Sequence, residues 1–173
     1  VSVLSGLPRN PLSSQNAYVT SLYPHSSFYS VERIADGMGN IRGFSYDYLM
    51  SEVGNDDGFY TCDNTMIDDI RRNSIPVAAL KTDTTFNVNG KCVVNTYHYN
   101  NAIVHSGGHG FLGFEKVVVR NYVNGNLIQK HVSEYEFNTL KSHSMILPFS
   151  QKTYQGEKQI INEKVYDYDK YCC

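Results

Sequence analysis

The feature that most constrains this chain is a spacing. In two segments a turn glycine is followed at seven and nine residues by tyrosines: Gly39 leads to Tyr46 and Tyr48, and Gly90 leads to Tyr97 and Tyr99. In two further segments the aromatic pair falls ten and twelve residues after the glycine: Gly125 leads to Tyr135 and Phe137, and Gly156 to Tyr166 and Tyr168. A turn and an aromatic pair repeated at set distances mark a repeated supersecondary unit, and a repeat dictates architecture before any other signal is weighed.

Each unit reads as a β-hairpin. Asn89-Gly90 and Asn124-Gly125 are the strongest short-range hairpin signals in the chain, because Asn and Gly tolerate the positive φ that a two-residue primed turn demands. The stretch from Asp36 through Gly39 to Asn40, and the pair Gln155-Gly156, supply looser versions. Aromatics at i and i+2 lie on one face of a strand, so each pair lays a stripe on one side, while the intervening Asp47, His98, Glu136 and Asp167 face water. The expected fold is therefore all-β: tandem antiparallel hairpins forming a curved or spiralling sheet. An ordinary β-sandwich with tyrosines on its outer strands fits the same pattern.

Around this plan, residues 1–30 read as an extended lead-in with Pro8, Pro11 and Pro24 and one short strand near Ala17 to Leu22, and residues 31–173 as the hairpin domain, the whole being a single domain. Thr65 to Asn73 places Met66, Ile67 and Ile70 at helical spacing behind an N-cap residue, with Pro76 beyond, and predicts one short helix or turn. Ser142 to Ser150, with Pro148, reads as the connection between the last two hairpins.

Composition narrows the function classes. Leu, Ile, Val and Phe make up 44 of 173 residues, enough for a folded chain. With 15 Lys+Arg against 17 Asp+Glu there is no basic excess to neutralise phosphates, so nucleic acid is not an expected partner. The longest apolar run, Val77 to Leu80, is far short of a membrane-spanning helix. Cys62, Cys92, Cys172 and Cys173 show no Cys-x-x-Cys spacing. They suggest neither a zinc site nor a clear disulfide framework, with a Cys62–Cys92 bridge left open.

The densest signal runs from Tyr97-His-Tyr99 through His105-Ser-Gly-Gly-His-Gly110 to Phe111-Leu-Gly-Phe114 and Lys116-Val-Val-Val119. This stretch resembles the repeat region of the Rhs/YD-repeat superfamily, above all that of the B component of bacterial ABC-type insecticidal toxin complexes. Val31 to Tyr48 and Leu147 to Tyr168 are similar to flanking repeats of that family, so the resemblance spans roughly residues 17 to 170. His109 stands where the family usually has an Arg between two glycines. The resemblance implies a non-enzymatic segment of a secreted or cell-surface bacterial shell that encloses a toxin or effector polypeptide, with that polypeptide or the rest of a longer shell as partner. A different class of function, a secreted or surface β-rich module binding a glycan or partner protein through exposed tyrosine faces, fits the aromatic content too.

Candidate chemistry is thin. His105 and His109 are four apart on a glycine loop without a third ligand. Glu134-Tyr-Glu136 has the Glu-x-Glu form used by ADP-ribosyltransferases, but it sits in a repeat strand without the upstream Arg and Ser-Thr-Ser set. Cys62 or Cys92 beside His105 would make a thiol and base only if the fold joined them. The expectation is no catalytic residue, no cofactor and no metal. Phe111, Leu112 and Phe114 are expected to be buried, with Gly110 and Gly113 required by the backbone.

Overall fold

A computed structural model describes residues 18–22, 30–49, 58–67, 70–73, 75–87, 89–108, 110–140 and 143–168. Among these the chain is all-β, without a helix. The twelve strands are β1 (Tyr18–Leu22), β2 (Val31–Ala35), β3 (Ile41–Tyr48), β4 (Tyr60–Thr61), β5 (Met66–Ile67), β6 (Ile70–Arg72), β7 (Ala78–Phe86), β8 (Cys92–His105), β9 (Gly110–Val123), β10 (Asn126–Leu140), β11 (His143–Gln155) and β12 (Gln159–Val165). They form one open sheet in the order β1-β2-β3-β7-β8-β9-β10-β11-β12, antiparallel along that path, with β4 and β6 set beside β8 and β5 paired to β6. No second sheet covers it among the described residues, which removes the sandwich alternative.

The turns follow local chemistry. Val123 pairs with Asn126, leaving Asn124 and Gly125 as a two-residue loop at φ 48° and 82°, the primed turn that the sequence demands. Gly90 behaves otherwise: Phe86 pairs with Cys92, the Gly90 N–H donates to Asn87 O at 2.9 Å, and of the Asn89-Gly90 pair only Gly90 has positive φ. The 36–40 turn repeats this plan, with the Gly39 N–H donating to Asp36 O at 3.3 Å. There the Asp36 carboxylate also accepts from the Met38 and Asn40 backbone N–H groups, at 2.9 and 2.8 Å. The first two repeat units thus share a turn as well as a spacing.

Two segments depart from expectation. Met66–Ile67 and Ile70–Arg72 are short antiparallel strands, not a helix, because the Ile103–His105 end of β8 offers an unpaired edge that Ile70–Arg72 fills. Backbone groups on that edge need partners, and tertiary pairing overrides a three-residue helical pattern. Residues 143–150 are no connection but the first half of β11. Pro148 is tolerated there because it sits at a bulge: Tyr135 faces Pro148 while Glu134 faces Ser150, so the missing N–H leaves no gap in the ladder.

The core is small and lies where the described residues of the excursion between β3 and β7 meet β8. Leu49, Tyr60, Tyr99 and Ala102 are buried together, with Phe59, Ile75, Tyr97 and Phe114 packed around them. The excursion is pinned by the Leu49 N–H donating to Val77 O (2.9 Å) and the Ile75 N–H donating to Leu49 O (2.8 Å). Tyr60 OH donates to Asn73 O at 2.6 Å and accepts from the Ala102 N–H at 2.9 Å.

Candidate functional site

Strand period places alternate residues of β8 to β11 on opposite faces, and the register aligns them in rows. His98 faces Val118, Val118 faces Val132, and Val132 faces Lys152. One row to one side are Thr96, Arg120, Lys130 and Tyr154; one row to the other are Asn100, Lys116, Glu134 and Ser150. These rows, apart from Thr96 and Ser150, line a depression of about 460 Å³, completed by Thr61 of β4.

Charges on this face are paired across strands. Lys116 Nζ lies 3.0 Å from Glu134 Oε1, and Ser150 Oγ donates to Glu134 Oε2 at 3.2 Å; the Lys116 ammonium holds the Glu134 carboxyl below its ordinary range. Glu157, in the turn after β11, takes Lys130 at 2.9 Å and Arg120 at 3.3 Å. Its carboxyl is lowered chiefly by Lys130. Lys152 pairs with Glu163 of β12 at 3.0 Å.

The opposite face carries a polar ladder and the aromatic stripe. Arg42 clasps Asp83 with two bonds, 2.8 Å from Nε to Oδ1 and 2.5 Å from Nη2 to Oδ2. Asp83 also bonds the Asn95 side chain, whose Oδ1 accepts from Asn121 Nδ2 at 2.7 Å. The Arg42 hydrogen bonds hold the Asp83 carboxyl low although only 2% of the residue is exposed. Further along, Tyr97 and Tyr99 stack with ring centroids 6.5 Å apart, as two aromatics on one face must. Tyr99 also packs on Phe114 at 4.6 Å and edge-on to Phe59 at 5.4 Å. Burial pushes the Tyr99 hydroxyl up to about 12, and it donates to Leu80 O at 3.0 Å.

The residues singled out in sequence separate accordingly. Tyr166 and Tyr168 stack at 6.4 Å, although β12 ends at Val165, before them. Asp47, Glu136 and Asp167 are partly or fully open to solvent, but His98 is turned onto the chain, its Nδ1 bonded to Gly58 O. Glu134 and Glu136 do not line one site: Glu134 lines the basic depression, and Glu136 lines a second groove with Ile70, Arg72, Ile103, Glu115 and Phe149. Cys62 and Cys92 are both free thiols, so no bridge joins them, and Cys172, Cys173 and His109 lie outside the described residues. His105 Nδ1 accepts from the Gly107 N–H at 2.9 Å.

Gly110 and Gly113 have φ of 72° and 146°, as the glycine argument requires. Phe114 and Leu112 are half-buried, but Phe111 is 46% exposed. Its ring lies edge-on to Phe114 at 5.3 Å rather than beneath another segment. Sequence reasoning missed the Arg42–Asp83 clasp and the basic rows, for which alternation within strands was the only available signal. Among the described residues no three His, Cys, Asp or Glu side chains gather as a metal set, and no helix is long and apolar enough to cross a membrane. Comparison with protein-family models, curated proteins and solved structures returns no match for this chain.

Proposed function

We propose that this chain is a structural, non-enzymatic wall segment of an Rhs/YD-type shell enclosing a toxin or effector polypeptide at the bacterial surface or outside the cell. The observation that carries the reading is the state of the last strand. All seven residues of β12 are exposed, with Ile160 and Ile161 at 49% and Val165 at 64%, on a single sheet that β12 terminates. An exposed edge strand with open backbone groups and three apolar side chains, Ile160, Ile161 and Val165, invites pairing with another strand, and continuation by a further hairpin is what a shell wall supplies. One aromatic pair supports the same reading over a glycan platform: Tyr97 and Tyr99 pack with the chain's own Phe59 and Phe114, whereas Tyr48 and Tyr168 of two other pairs are exposed.

The test is electron microscopy of the full encoded polypeptide that contains this segment, with protease challenge of whatever polypeptide copurifies. A hollow particle whose wall contains these hairpins, and whose contents resist protease until the wall is cut, is the expected result. A particle without a cavity, or one in which β12 remains an uncovered edge, overturns it.

A further inference from the structure

We infer that the depression across β8 to β11 docks an extended, carboxylate-rich polypeptide segment. The chain as a whole has a net charge of −2, yet this depression is lined by Lys116, Arg120, Lys130 and Lys152, four cations against the three carboxylates of Glu134 in its lining and Glu157 and Glu163 at its rim. Such a local reversal of sign favours an acidic partner and steers its approach.

Within the protein itself, carboxylates already occupy these cations. Glu157 enters from a turn at the rim and sits between Arg120 and Lys130, and Glu163 reaches Lys152 from the edge strand. Both glutamates are exposed, with side-chain accessibilities of 49% and 43%. Exposed pairs of this kind contribute little net free energy, so an incoming carboxylate exchanges for a resident one at small cost.

Spacing selects the partner's form. Lys130 faces Tyr154, and Lys152 lies two positions before it on β11, so Lys130 and Lys152 are diagonal neighbours roughly 7 Å apart at their backbones. Alternate residues of an extended strand are also roughly 7 Å apart on one side. Acidic residues at every second position of an extended peptide therefore match the rows, with the mutually hydrogen-bonded Thr61 and Asn100 as neutral lining groups. This gives the enclosed polypeptide of the shell reading a chemistry, and rests on that reading only for the peptide's source.

The experiment uses the 173-residue chain and a fluorescein-labelled peptide of alternating Glu and Ser, read by fluorescence anisotropy at two salt concentrations. Saturable, salt-sensitive binding is expected, absent for the Gln-Ser counterpart and weakened about tenfold or more by the double change Lys130→Gln, Lys152→Gln. Glu157→Gln, which removes the resident carboxylate from Arg120 and Lys130, is expected to tighten binding about threefold, a gain that misfolding does not produce. Lack of saturable binding, equal binding of the Gln-Ser peptide, or an unchanged affinity in Glu157→Gln overturns the inference. Tighter binding of a heparin oligosaccharide than of the Glu peptide reassigns the face to a sulfated glycan and overturns it as well. A chain that binds the peptide while its full-length parent builds no cavity refutes the shell alone.

Discussion

Arg42 and Asp83 form a two-pronged ion pair across adjacent strands in which the two partners differ sharply in exposure: the Arg42 side chain is 56% accessible and that of Asp83 is 3%. The carboxylate is thus desolvated and depends on a partner reaching in from solvent. Arg42→Ala is expected to destabilise the fold by about 2 kcal/mol, the usual loss for hydrogen bonds to a charged group. The surviving Asn95 contact keeps the loss below that of a fully orphaned buried charge. Urea unfolding measures it, and the added change Asp83→Asn should recover part of the loss; equal stability of Arg42→Ala and the parent would refute the pair's role.

Acid should weaken the protein by the same chemistry. Asp83 is held low by Arg42, Glu134 by Lys116, Glu157 by Lys130 and Asp47 by Lys81. Groups whose folded values lie below their unfolded ones contribute stability that is complete above the unfolded values, about 4, and is lost as pH falls through the folded ones. Thermal midpoints from this part of the titration should be flat near neutrality and fall below about pH 4. A midpoint that rises on acidification would contradict the assignment.

Gly113→Val is expected to cost about 1–3 kcal/mol. At φ 146° the backbone suits glycine, and an added Cβ would approach Ile146 Cδ1 at 3.3 Å. Because that atom ends a flexible side chain, most of the cost is backbone strain, so Ala and Val should destabilise similarly in chemical denaturation. An unchanged unfolding midpoint for both would show that the strain is absorbed.

Tyr60→Phe removes a hydroxyl that serves Asn73 O and the buried Ala102 N–H at once. The expected loss is about 1–3 kcal/mol, since two backbone groups are left without their partner. Amide exchange at Ala102 should accelerate in the variant, and its persistence at the parent rate would argue that another group takes over.

The edge offers the last test. Ile161→Lys, on a strand exposed at every residue, should change stability by less than about 0.5 kcal/mol. It should also reduce concentration-dependent self-association of the isolated chain in sedimentation velocity, because charge on an edge strand blocks strand addition. Association undiminished by the lysine would place the sticky surface elsewhere.

What the sequence determined by itself are features whose causes lie within a few residues. Asn124-Gly125 forms the primed turn that its residue types favour, whereas the same pair at Asn89-Gly90 sits in a longer loop with only Gly90 at positive φ, and alternation puts Tyr97 and Tyr99 on one side of β8. The tertiary structure decided whatever depends on a neighbouring edge or face. Ile70–Arg72 became strand because β8 had an unfilled edge, and Pro148 entered a strand because a bulge opposite Glu134 and Tyr135 excused its missing N–H. Likewise Asp83 and Asn101 are buried because other strands bring Arg42 and Glu115 to them. Turn chemistry and side-chain alternation are local properties of the backbone, whereas strand partners, burial and charge pairing arise only once residues distant in sequence share a sheet.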